Sequence, residues 1–160
     1  MIKHIKCDIF ESGADIICHQ VNCQGVMGSG IAKQVREKYP IVYKEYKELC
    51  DDIPPDHLIG VPQYVGLYDD NLCGIINIFG QRTYGYDGKC YTDYDALKKA
   101  FNNIHHTITK TNFFSFKPTL AFPYKFGCVR GGGDWNIVYK MIKETFEDDI
   151  DVLICEYNGG

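Results

Sequence analysis

A chain of 160 residues has room for one domain and little more, and folding at that size buries about 70% of the unfolded surface, enough for a core that needs no disulfide or metal support. Hydrophobic residues make up 45% and charged residues 24%, with no low-complexity tract, which excludes the disordered and fibrous classes. Lys plus Arg number 17 against 21 Asp plus Glu, a formal net charge of −4; this excludes wrapping of nucleic acid by a bulk positive field but leaves open a compact anion held by local backbone donors.

The opening residues MIKHIKCDIF lack the apolar centre of a signal peptide, and no run approaches the roughly 18 apolar residues of a membrane span. A cytoplasmic protein with no membrane partner is expected. Residues 14–21 (ADIICHQV) form a nearly continuous apolar run, the pattern of a strand buried on both faces. A helix is expected over 30–39, with Ile31, Val35 and Lys38 on one face. The stretch CDDIPPDHLIG is expected to be a loop because of Pro54 and Pro55. Strands follow at 61–68 and 72–79, then a helix over 93–108 whose Tyr94, Leu97, Phe101, Ile104 and Ile108 share a face. A strand at 118–122, a helix at 135–146 presenting Ile137, Val138, Met141, Ile142 and Phe146, and a strand at 150–156 complete the order. Strands alternating with helices of this length predict a three-layer α/β/α sandwich around a mixed, largely parallel sheet of about six strands, a single domain over 1–157 with a tail at 158–160.

The eight cysteines include no C-x-x-C pair, and several lie in apolar runs such as DIICH and VLICEY, so buried free thiols are expected rather than a zinc site or a disulfide framework. Neither metal nor cofactor is expected.

Ligand sites in such sheets gather where loops leave strand carboxyl ends and enter helices. Two glycine-rich loops occupy such places: NCQGVMGSGIA after the first apolar run, and PYKFGCVRGGGDW before the last helix. Glycines there let backbone N–H groups turn toward a ligand, and the helix N-terminus adds partial positive charge, so each loop can cradle phosphate oxygens and the pair suits a pyrophosphate. Neither loop is a recognised nucleotide fingerprint: G-V-M-G-S-G lacks the G-x-G-x-x-G spacing, and Lys89 follows Gly88 without the Ser or Thr of a P-loop. An unrelated nucleotide-dependent α/β enzyme is correspondingly disfavoured.

Taken together, KCDIF, then ADIICHQVNCQGVMGSGIAKQVREKYP, then GCVRGGGDW resemble the macrodomain family of ADP-ribose binders over essentially the whole chain, nearest to the branch of terminal ADP-ribose protein glycohydrolases and ADP-ribose-1″-phosphate phosphatases. The resemblance implies that Asp8 accepts from the adenine amine with the Ile9 backbone N–H beside it, and that Asn22 contacts the distal ribose. It implies that Gly28, Ser29, Gly30 and Ile31 form the first phosphate and ribose loop, and that Gly127, Cys128, Val129, Arg130 and Gly131 close over the diphosphate, with Phe126 or Tyr124 stacking nearby. It further implies hydrolysis at the 1″ position, with Asp134 as the acid or base and Asn22 assisting. Ester-cleaving relatives depend on a lysine at the end of the strand that here reads IINIF, yet Gly80, Gln81 and Arg82 follow, leaving Lys89 as the lysine that could reach the site and Tyr91 and Thr92 as candidates to line the distal ribose.

The residues also admit plainer roles. Asp8 and Asn22 suit turns at strand ends, Asp134 suits an N-cap of the last helix, and Asp93 suits one for helix 94–108. His19 and Cys23 point to different faces, which favours a packed histidine over a Cys–His nucleophile, and His105 and His106 are expected at the surface. The expected partner is ADP-ribose or a derivative, including ADP-ribosylated protein or nucleic acid, bound by a monomer; the alternative to a hydrolase is a non-catalytic reader with the same binding loops.

Overall fold

In the computed structural model, which describes residues 1–69 and 71–157, six strands form one mixed sheet in the order β1-β6-β5-β2-β4-β3. The expected tail at 158–160 lies outside the described residues. The elements run β1 (Ile2–Lys6), a short 3-10 turn (Ile9–Glu11), β2 (Ile16–Asn22), α1 (Gly30–Lys38), α2 (Pro40–Asp52), α3 (Pro55–Leu58), β3 (Pro62–Gly66), β4 (Gly74–Gln81), α4 (Tyr94–Lys110), β5 (Leu120–Pro123), α5 (Trp135–Phe146) and β6 (Val152–Glu156). Only β3 runs antiparallel, against β4.

The period-2 alternation of the strands divides the core into two layers. Ile16, Cys18, Ile76, Ile78, Leu120, Phe122, Val152 and Ile154 pack against Leu97, Phe101 and Ile104 of α4 and Val138, Ile142 and Phe146 of α5. From the other face Ile17, Val21, Ile75, Phe79, Ala121 and Cys155 meet Val35 of α1, Val42 and Tyr46 of α2 and Leu58 of α3. Helices on both faces make the expected three-layer sandwich. β4 is buried along its whole length, as a central strand covered from both sides must be.

Three local expectations need correction. The loop expected around Pro54 and Pro55 is shorter than CDDIPPDHLIG: α2 continues to Asp52, and Pro55 opens α3 at its first position, where the missing N–H costs nothing and the fixed φ suits a helix. Ile137 turns outward, 42% exposed, and leaves the inner face of α5 to Val138, Ile142 and Phe146. The thiols are not uniformly buried: Cys18, Cys23 and Cys155 are, but Cys73 and Cys90 are exposed. No helix among the described residues is long and apolar enough to cross a membrane.

Candidate functional site at the ends of β2 and β5

β2 and β5 are neighbours in the sheet, yet the chain leaving β2 enters α1 on one face and the chain leaving β5 enters α5 on the other. This is the reversal at which an α/β sheet opens a crevice beyond its strand ends. The crevice holds two adjoining cavities. The first, of about 370 Å³, is lined by Asn22, Gly28–Ala32, Gln81, Tyr84–Tyr86 and Pro123–Gly131. The second, of about 420 Å³, is lined by Asp8, Ile9, Gln34, Cys155 and Glu156, and shares Gly30, Ile31, Tyr124, Lys125 and Val129 with the first.

The first glycine loop leaves the N-terminus of α1 without a side-chain cap. Gly30 takes φ of 59° with open space around it, and Ser29 at the N-cap of α1 makes no side-chain capping bond, so the helix N-terminus is left to a ligand. No acidic residue sits in that first turn. Behind the loop Asn22 is spent on holding shape: its Nδ2 donates to Val26 O at 2.9 Å, its Oδ1 accepts from Gln24 N at 2.9 Å, and Tyr46 donates to its carbonyl at 2.7 Å. Asn22 still lines the cavity, but its amide organises the loop.

The second loop is fastened from beneath by groups far apart in sequence. Gln20 Nε2 donates to Gln81 Oε1 at 2.7 Å and to Thr92 Oγ1 at 2.9 Å, and Thr92 Oγ1 donates to Gly127 O at 2.6 Å. Gly133 N returns to Gly127 O at 3.0 Å, and Tyr91 N and Thr92 N donate to Gly131 O. Gly127, at φ of 72°, and Gly131 lie against Gln20 and Thr92 with no room for a Cβ. Phe126 is 2% exposed and packs into the core as an anchor, so of the two expected stacking aromatics Tyr124 is the one that borders both cavities with surface to offer.

Charge is segregated along the crevice. The ionisable residues lining the first cavity are His19, Tyr84, Tyr86, Tyr124, Lys125, Cys128 and Arg130, with no carboxylate among them; Asp8 and Glu156 border the second cavity instead. Asp8 Oδ1 accepts from Phe10 N at 3.0 Å, which caps the 3-10 turn and fixes the carboxyl beside Ile9. His19 is held neutral: burial pushes its pKa down to about 4, its Nε2 donates to Asn77 Oδ1 at 2.6 Å, and its Nδ1 has no partner. Burial pushes the Cys128 thiol up to about 11 and Cys23 to about 12, so neither is a thiolate nucleophile near neutrality.

Several expected groups stand elsewhere. Asp134 is exposed and lines neither cavity; its Oδ1 accepts from Asn136 N at 2.9 Å as the N-cap of α5, and its N–H donates to Tyr94 OH. Lys89 pairs with Asp87 at 3.7 Å outside the cavity, Arg82 turns to Asp56 and Asp93, and no lysine reaches the end of β4. Thr92 is buried in the fastening network and Tyr91 donates to Asp87, so neither lines the cavity. Asp93 caps α4 as expected, accepting from Ala96 N. His105 is half-buried against Asp149 rather than free at the surface. Among the described residues no group of three or more His, Cys, Asp or Glu could hold a metal ion.

No family model matches the chain. It is 26% identical over 167 aligned positions to the DNA ADP-ribosyl glycohydrolase of Mycobacterium tuberculosis, an alignment covering 100% of this chain and 43% of that protein. It is also 40% identical over 70 positions to the ADP-ribose 1″-phosphate phosphatase of Debaryomyces hansenii, covering 38% of each. The chain thus spans less than half the length of these curated relatives. Among solved structures, the macrodomain of Mycobacterium tuberculosis DarG superposes with a TM-score of 0.81 at 24% identity over 97% of both chains. Thermosipho africanus DarTG in complex with ADP-ribose superposes at 0.79 and 22% identity over 97% of this chain and 41% of that one. The chain has the macrodomain fold.

Proposed function

We propose that the crevice binds ADP-ribose and that the chain hydrolyses a bond at the 1″ position. The observation that carries this reading is the pair of adjoining cavities with segregated charge. Asp8, a fixed acceptor at one end, suits the amine of adenine. The N-terminus of α1 and the Gly127–Gly131 loop, with Arg130 and Lys125 near, suit a diphosphate where the two cavities meet. The part of the first cavity lined by Gln81, Tyr84 and Tyr86 is then left for the distal ribose and its substituent. The relatives named for ADP-ribosyl glycohydrolysis and for ADP-ribose 1″-phosphate hydrolysis support the same position of attack.

In either hydrolysis the oxygen of water bonds to the reacting centre and the leaving group departs with a proton. The amides of Asn22 and Gln81 border that space and shape its wall, each engaged in the hydrogen bonds that hold its own segment in place. Release of phosphate or ADP-ribose from ADP-ribose-1″-phosphate, an ADP-ribosylated side chain or base, and an O-acyl ester tests the reading; turnover of at least one is expected. A second reading, a non-catalytic reader, is favoured by two features: no carboxylate lines the first cavity, and Asp134 caps α5 outside it. Tight binding with no turnover of any of the three would select it.

A further inference from the structure

The carboxyl ends of four parallel strands border the crevice in the order β1, β6, β5, β2. Asp8 follows β1, Glu156 ends β6, Tyr124 and Lys125 follow β5, and the first glycine loop follows β2. ADP-ribose carries its parts in a matching order: adenine, ribose, diphosphate, ribose. With adenine at Asp8 and the diphosphate at the loops after β5 and β2, the adenosine ribose falls at the end of β6, one strand spacing of about 4.8 Å from each neighbour. Glu156 stands there. It is half-buried, it lines the second cavity, and among the described residues it makes no ion pair. Its register partner on β1, Lys6, does not line that cavity. Two carboxylates, Asp8 and Glu156, thus face a single cation, Lys125, which the first cavity shares from the β5 side; Arg130 lines the first cavity alone.

We propose that Glu156 reads the 2′ position of the adenosine ribose: its carboxylate accepts from a free 2′-hydroxyl and excludes a 2′-phosphate. The proposal rests on the ADP-ribose reading above and narrows the ligand of that same site to the form without a phosphate on its adenosine. An ionised carboxylate accepts without donating, so it complements a ribose hydroxyl, and a hydrogen bond to a charged acceptor is the stronger kind. A phosphate monoester instead brings about 1.5–2 negative charges at pH 7. At the end of β6 that charge would meet Glu156 directly, with Asp8 one strand further on. Dinucleotide-binding sites divide on the same chemistry: an acidic side chain takes the ribose 2′-hydroxyl, whereas an arginine accommodates a 2′-phosphate. No arginine lines the second cavity.

Calorimetric titration of the whole chain with three ligands tests this: ADP-ribose, its 2′-deoxyadenosine analogue and its adenosine 2′-phosphate. The wild type should bind ADP-ribose about tenfold more tightly than either analogue, the size of one hydrogen bond to a charged group. The gap to the 2′-phosphate should narrow as salt rises, because screening weakens repulsion and leaves the lost hydroxyl of the deoxy analogue untouched. Glu156→Leu should close both gaps, and Glu156→Arg should bind the 2′-phosphate more tightly than ADP-ribose, with thermal unfolding showing that each variant is folded. Absence of either gap in the wild type, or gaps that persist in folded Glu156→Leu, would overturn the proposal. A wild type that binds none of the three would overturn the reading beneath it, and the proposal with it.

Discussion

Gly131→Ala probes how the second glycine loop is held. A Cβ at this position would lie under 3.0 Å from Thr92 Oγ1, Gly127 O and Gln20 Nε2, three atoms already engaged with one another. None is the free end of a flexible chain, since Gly127 O also accepts from Gly133 N. If the loop holds its place, the methyl breaks two hydrogen bonds worth about 1 kcal/mol each and adds overpacking of about 1–3 kcal/mol. The sum, roughly 3–5 kcal/mol, should lower Tm by about 6–20 °C in a chain of this length. If the loop moves instead, stability is partly spared and the N–H groups facing the crevice are lost, so ADP-ribose affinity should fall at least tenfold. Thermal unfolding and calorimetric titration of the same preparation separate the two routes. Wild-type Tm together with wild-type affinity would refute the description of the loop as pinned by Gln20 and Thr92.

Asp8→Ala removes a fixed acceptor, and ADP-ribose binding should weaken by roughly 1.5–3 kcal/mol in a folded variant; unchanged affinity by titration would make Asp8 only a cap of its turn. Asp134→Asn retains the capping bond to Asn136 N and stands outside the cavity, so turnover should stay within a few-fold and Tm should hold; a loss of 10²-fold or more in steady-state assays would restore Asp134 as a catalytic base. His19, with its folded pKa near 4 against an ordinary 6.5, takes up a proton in the unfolded chain first as pH falls. The stability it protects is therefore full above pH 6.5 and is lost progressively between 6.5 and 4, reaching roughly 2–3 kcal/mol by pH 4.5. Urea unfolding should show this slope in the wild type and a shallower one in His19→Gln; equal slopes would mean that His19 titrates as it does in water.

Both glycine loops could be read from the sequence because each follows an apolar run and precedes a periodic one, a local signal that survives without tertiary context. β1 was less visible, since IKHIK alternates polar residues on an edge strand and never forms an apolar run. α2 carries its signal in Val42 and Tyr46, one turn apart behind Pro40, but its mixed face of lysines and tyrosines hides the stripe. The network under the second loop had no local signature: Gln20 meets Gln81 and Thr92 across 61 and 72 residues, a contact that only strand pairing creates. Asp134 is the opposite case. The residue type fits catalysis and capping equally, and only geometry, the bond to Asn136 N, separates them.

Isothermal titration of the chain with ADP-ribose at two salt concentrations shows whether the crevice between the two glycine loops is an ADP-ribose site. Micromolar affinity, about −8 kcal/mol, is expected, with a shallow salt dependence if backbone donors rather than a basic surface hold the diphosphate. No detectable heat at millimolar ADP-ribose, or an affinity that collapses with salt as a phosphate-tracking surface does, would contradict it.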